Sequence, residues 1–69
     1  MHANNVHVHD LFVTRRANER FDVCLYIDDR FECVLFTAFD YSGAVSAIDY
    51  ICNDGQFPIS DVIIDPNCF

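Results

Sequence analysis

Basic residues are scarce in this sequence. It has no lysine and four arginines against eleven acidic residues, which gives a formal net charge of -7. Affinity for nucleic acid comes largely from lysine and arginine side chains that displace counterions from phosphates. The composition therefore predicts that the protein does not bind DNA or RNA directly. Only two glycines occur in the 69 residues, too few for a glycine-rich phosphate-binding loop.

Long apolar runs are also missing. No segment reaches the ~20 apolar residues that span a bilayer, and residues 1–10 have neither the basic start nor the apolar run of a signal peptide. We therefore expect a cytoplasmic protein that does not associate with membranes. In that compartment the four cysteines would stay reduced.

The chain is nevertheless apolar enough to fold, with 52% hydrophobic and 14% aromatic residues. Disordered chains are far more polar. Period-two alternation predicts a strand over 6–14, and runs of β-forming residues predict strands at Phe21–Ile27, Phe31–Ala38 and Asp61–Ile64. Apolar residues at helical spacing predict one amphipathic helix over 41–53, with Asp40 as its N-cap.

This order of elements predicts an α+β fold. We expect a small, mostly antiparallel sheet in β-β-β-α-β order, with the amphipathic helix packed on one face. Residues 6–69 would form a single domain, and residues 1–5 a disordered N-terminal arm.

The central hairpin has two candidate registers. A three-residue loop, Asp28–Arg30, would group one apolar set on a single face: Phe21, Val23, Leu25, Ile27, Phe31, Cys33 and Leu35. A two-residue turn would shift the pairing by one residue and regroup the faces. We prefer the three-residue loop because its apolar set is larger. The other face would then hold an apolar patch of Cys24, Tyr26, Val34 and Phe36, covered by the N-terminal segment, by a second subunit or by a partner.

Residue types that carry chemistry are present without the patterns that chemistry needs. His7 and His9 alternate on a strand, as two zinc ligands would, but the cysteines show no paired spacing. We expect Cys33 and Cys52 to be small core residues and Cys24 and Cys68 to be more exposed. The Asp28–Asp29 pair lies at a solvated turn, for which aspartate is a usual residue. The sequence therefore predicts neither an enzyme nor a bound cofactor.

Charge is distributed unevenly along the chain. Residues 1–20 carry three arginines and two acidic residues, whereas residues 21–69 carry one arginine and nine acidic residues. An acidic field of this kind steers a protein toward basic surfaces, although net charge also serves solubility alone. The size and charge are similar to those of small phage and mobile-element inhibitors, without a motif that assigns the chain to a family.

The leading hypothesis is a small acidic protein-interaction module, monomer or homodimer. It would bind and occlude a basic surface of a larger protein, as an inhibitor or nucleic-acid mimic does. The candidate contacts are two aromatic anchors, three steering carboxylates and a further anchor on the helix: Tyr26 and Phe36; Asp28, Asp29 and Glu32; and Tyr50. One alternative is a structural homo-oligomer or accessory subunit of a larger assembly. Another is metal binding through His7 and His9.

Overall fold

A computed structural model describes residues 7–55 and 58–68. In chain order, three strands are followed by an α-helix, a fourth strand and a short 3₁₀ turn: β1 (His9–Arg15), β2 (Phe21–Ile27), β3 (Arg30–Ala38), α1 (Tyr41–Asp54), β4 (Asp61–Ile64) and η1 (Pro66–Cys68). The strands form one sheet in the order β3-β2-β1-β4. The predicted α+β class and element order are confirmed.

The sheet is mixed. β2 runs antiparallel to both β1 and β3, but β4 lies parallel to β1 at the edge opposite β3. Because α1 connects β3 to β4, the chain crosses over the whole sheet between its last two strands. β1 begins at His9, later than the predicted start at residue 6. The predicted N-terminal arm, residues 1–5, and Val6 lie outside the described residues.

The prediction of a three-residue hairpin loop is wrong. Ile27 pairs with Arg30, so the turn has two residues, Asp28 and Asp29, with φ angles of 53° and 66°. Two positive φ angles in succession define the type I′ turn, whose twist matches that of a β-hairpin. Aspartate enters this left-handed region more readily than most residues. The hairpin therefore closes tightly without glycine.

Two bulges in β3 then change which residues share a face. The register shifts once around Glu32 and again around Leu35. As a result Phe31 pairs with Tyr26, while Leu25 still pairs with Cys33 as predicted. A bulge adds one residue to one strand and so reverses the alternation beyond it.

The apolar groups predicted for β3 are therefore partly wrong. Phe31 lies on the face of Tyr26, not with Leu25. Phe36 pairs with Val23 and Ala38 with Phe21, so both lie on the face that α1 covers.

The core lies between α1 and one face of the sheet. Its buried members come from all parts of the described chain: Leu11, Val13, Phe21, Val23, Leu25, Ala38, Ala44 and Cys68. The helix begins at the predicted N-cap, where Asp40 Oδ1 accepts a 2.7 Å hydrogen bond from Gly43 N, and Gly55 ends it with φ 76°. None of the helices among the described residues combines the length and apolar character that crossing a membrane requires.

Replacing Asp29 by glycine should stabilise the protein. Glycine adopts a positive φ without strain, which stabilises the folded turn. Its greater entropy in the unfolded state offsets part of this gain, and we expect the free energy of unfolding to rise by about 0.5 kcal/mol. Urea denaturation followed by circular dichroism measures this change. Asp28→Gly is the matched control and should destabilise, because Asp28 also accepts hydrogen bonds from Val8 N and His7. Equal effects of the two substitutions would contradict this account of the turn.

Candidate functional site

The sheet face turned away from α1, here called the open face, has no helix packed on it among the described residues. The strand registers order its side chains in three rows running from β4 to β3: Asp61, Asp10, Tyr26 and Phe31; Ile63, Phe12, Cys24 and Val34; then Thr14, Asp22 and Thr37. The middle row is entirely apolar. Carboxylates lie in both outer rows.

The apolar part of the open face remains accessible to solvent. Phe31 is 56% exposed, Val34 44% and Ile63 41%. Tyr26 lies between two other rings, with centroid distances of 5.7 Å to Phe12 and 5.8 Å to Phe31. These three aromatic residues form a continuous strip across β1, β2 and β3. An apolar surface of this kind, bordered by polar residues, is typical of a protein-interaction site.

Two of the carboxylates on the open face come from neighbouring strands. Asp10 and Asp61 are direct neighbours on the parallel strands β1 and β4. Like charges directly opposite each other in a sheet destabilise it. Asp22, in the third row, differs because it accepts a 2.7 Å hydrogen bond from Thr37 and lies 3.4 Å from Arg16 Nε. The Asp10–Asp61 pair is the part of this face that a cation from a partner would stabilise.

The predicted steering carboxylates lie beside the first row. Asp28 Oδ1 accepts a hydrogen bond from Val8 N at 2.8 Å, and Asp28 Oδ2 lies 2.6 Å from His7 Nδ1. The bond from the Val8 backbone, and next the one from His7, hold the pKa of Asp28 below its ordinary value of 3.8. The stabilisation from these bonds is thus present at neutral pH and lost as the pH falls through that lowered pKa. Asp29 and Glu32 are exposed nearby.

The two other predicted anchors lie on the opposite side of the sheet. Phe36 and Tyr50 face each other across a groove between β3 and α1, with a volume of about 700 Å³, which Leu35, Ile51 and Asp54 also line. Tyr50 is exposed, as its position on the helix predicted. The predicted patch of Phe36 with Tyr26 is wrong, because the second bulge turns Phe36 toward the helix.

The cysteine predictions are reversed: Cys24 lies on the interior strand β2, whereas Cys33 lies on the edge strand β3. Cys24 and Cys68 are buried, whereas Cys33 and Cys52 are exposed. Cys24 lies between Phe12 and Val34 in the middle row of the open face, and Cys68 Sγ lies 3.5 Å from Val13 O. Burial raises the pKa of both thiols, with a further contribution from Asp22 at Cys24 and from Asp65 at Cys68.

A metal centre finds little support in this arrangement. Within residues 7–55 and 58–68, no group of three or more histidine, cysteine, aspartate or glutamate side chains is placed to hold an ion. His7 instead contacts Asp28. The hypothesis of metal binding through His7 and His9 therefore lacks a third ligand in the described structure.

Sequence reasoning missed three contributors to the open face: Phe12, Phe31 and Ile63. The signal for Phe12 and Ile63 was present, since each alternates with apolar residues that point into the core: Leu11 and Val13 in β1, Val62 and Ile64 in β4. Apolar residues on both sides of a strand predict a sheet with two apolar faces. Among the described residues one α-helix packs on the sheet, and it covers the other face.

Comparison of the chain with protein-family models, with curated proteins and with solved structures found no match. Its function has to be inferred from its own surface.

Proposed function

We propose that this protein is a small acidic interaction module that binds and occludes a basic surface of a larger protein, acting through the open face. One observation carries the proposal: an accessible apolar row lies next to the directly opposed carboxylates of Asp10 and Asp61. Neither feature favours the free, monomeric protein. Both become favourable when an apolar surface carrying lysine or arginine covers them.

The apolar and acidic parts would act in different ways. Aromatic side chains concentrate binding energy at interfaces, so Tyr26 and Phe31 would be the anchors. The carboxylates of Asp28, Asp29 and Glu32 border the face near its first row and would accelerate encounter with a basic partner. A protein surface that binds nucleic acid has this basic character. Occupying such a surface with carboxylates in place of phosphates would exclude nucleic acid without any chemical reaction.

Affinity capture from cells of the source organism tests the apolar part. The wild-type protein should retain a basic protein that added DNA or RNA displaces. Phe31→Ser with Ile63→Ser should lose this protein, because two exposed contacts of the face are removed. Val45→Ser is the matched control, since Val45 is 45% exposed on the helix, away from this face. Retention by the double variant, or equal loss with the control, would contradict the proposal.

Asp10→Asn tests the acidic part through two opposite effects. Removing one of two facing carboxylates should raise the free energy of unfolding by about 0.5 kcal/mol at low salt. The same change should weaken binding to the captured partner and reduce its dependence on salt. Urea denaturation and binding titrations at two salt concentrations measure these effects. A variant that is more stable and binds equally well would show that the Asp10–Asp61 pair does not contact the partner.

A further inference from the structure

β3 is an edge strand that remains exposed along nearly its whole length. Of its nine residues only Ala38 is buried. Its apolar side chains project on both sides, with Phe31 and Val34 on the open face and Leu35 and Phe36 in the groove beside α1. An edge of this kind presents backbone N–H and C=O groups to which another strand can add.

The hydrogen bonds at the two ends of β2 determine which backbone groups of β3 point outward. Arg16 N donates to Arg20 O at 2.7 Å, and Asp28 N donates to Val8 O at 2.8 Å. Because bonded and non-bonded pairs alternate in an antiparallel ladder, the even-numbered residues of β2 bond to β1 and the odd-numbered ones to β3. The residues of β3 opposite the even-numbered ones direct their N–H and C=O groups away from the sheet: Phe31, Val34 and Thr37.

In β3 the residues whose N–H and C=O groups point outward are three positions apart, which restricts the strands that can pair with this edge. In a regular strand such residues are two positions apart. A regular strand would therefore lose register with β3 after one hydrogen-bonded pair. A strand with the same two bulges, at Glu32 and Leu35, has the same spacing and remains in register throughout. The structure contains one such strand, β3 itself.

We propose that two copies of this chain associate through β3, antiparallel, about a two-fold axis at Val34. Val34 then lies opposite Val34 of the second copy, and Phe31 lies opposite its Thr37. Both of these pairs have their side chains on the open face, as antiparallel pairing requires. On the other side, Cys33 lies opposite Leu35. A shift that placed Cys33 opposite itself would instead pair Phe31 of the open face with Leu35 of the groove.

One charge contact supports the same arrangement, beside the like charges of Asp28 and Asp40 that this register also brings together. Antiparallel pairing places the acidic turn of each copy beside the far end of β3 in the other. Asp29 then lies opposite Phe39 of the second copy. The guanidinium carbon of Arg20 lies 4.0 Å from the centroid of the Phe39 ring. The arginine is thus held where the aspartate of the second copy arrives, which offsets part of the repulsion between two chains of net charge -7.

The product is one eight-stranded sheet with both helices on one side and both open faces on the other. The proposal does not depend on the proposed function. It enlarges the surface on which that function rests, because Phe31 and Val34 of both copies meet at the centre of the joined face.

Sedimentation equilibrium and cross-linking test the pairing and its register. In a Cys24→Ala, Cys33→Ser, Cys52→Ser background, which removes the cysteine that lies opposite position 34 in the same chain, Val34→Cys should form an interchain disulfide on mild oxidation, because directly opposed residues have Cα atoms about 5.5 Å apart. Ile63→Cys in the same background is the control, with similar exposure on the far edge of the sheet, and should not form one. Equal cross-linking of the two variants would overturn the proposed register.

A second pair of variants separates association from folding. Wild-type protein should sediment as a dimer at micromolar concentration. Val34→Lys should raise the dimer dissociation constant at least about 100-fold, because two ammonium groups would face each other across the axis. Its circular dichroism spectrum should match that of Ile63→Lys, the control, which should remain dimeric. A wild-type protein that stays monomeric at millimolar concentration, or a dimer that Val34→Lys leaves intact, would overturn the proposal.

Discussion

Leu11→Ala should lower the free energy of unfolding by about 3 kcal/mol, the usual range for removing a buried leucine being 2–5 kcal/mol. Leu11 is 0% exposed at the centre of the sheet, where it pairs with Leu25 on one side and Val62 on the other. Both neighbouring strands would border the cavity that the substitution leaves. A core this small rarely supplies more than about 5 kcal/mol in total, so most of the stability would be lost.

Urea denaturation monitored by far-ultraviolet circular dichroism measures this loss. The midpoint should move to a much lower urea concentration. The slope of the transition should stay constant, since the substitution leaves the surface area exposed on unfolding nearly unchanged. Ile63→Ala is the control, because Ile63 is 41% exposed on the open face and should cost less than about 1 kcal/mol. If the two substitutions have equal effects, the core does not lie on the side of the sheet that α1 covers.

The four thiols should divide into two classes of reactivity. Cys33 and Cys52 are exposed and should react with Ellman's reagent as free cysteine does. Cys24 and Cys68 should react at least about 100-fold more slowly, because the reagent reaches them only when the structure opens. Burial also raises the pKa of both thiols, which lowers the fraction present as the reactive thiolate.

Time-resolved labelling with mass spectrometry assigns each rate to a residue. Adding urea above the unfolding midpoint should make all four thiols react at similar rates. Fast reaction at Cys24 together with protection of Cys33 would contradict the burial of Cys24 and the exposure of Cys33 in the structure. The experiment therefore tests the placement of the four thiols directly, without substitution of any residue.

Local patterns were sufficient to predict the elements. β2 and β4 have their predicted bounds, and the capping bond from Gly43 N to Asp40 follows from the preference of aspartate for that position. Period and capping depend on residues that are close in sequence. The class of fold and the order of its elements follow from them.

The faces of β3 could not be predicted in the same way. Whether Phe36 points toward the helix depends on the bulge at Leu35, and a bulge is defined by how β3 pairs with β2, a strand distant from Phe36 in sequence. The sequence favours the three-residue loop because its apolar set is larger. The two-residue turn is instead supported by hydrogen bonds that Asp28 accepts from Val8 and His7, twenty or more residues away in sequence. Of the four residues in the predicted patch, Cys24, Tyr26 and Val34 lie on the open face. The fourth, Phe36, lies on the other side of the sheet, and Phe31 completes the open face in its stead.

The parallel pairing of β4 with β1 bears on the order in which the chain folds. Asp10 pairs with Asp61, so this contact joins opposite ends of the sequence. Closing so long a loop is entropically expensive, whereas the β2–β3 hairpin closes through two residues. We expect the hairpin to form early and β4 to join last. Until it does, β1 is a second unprotected edge, and a nascent chain whose β4 segment has not yet emerged from the ribosome would be most prone to aggregate.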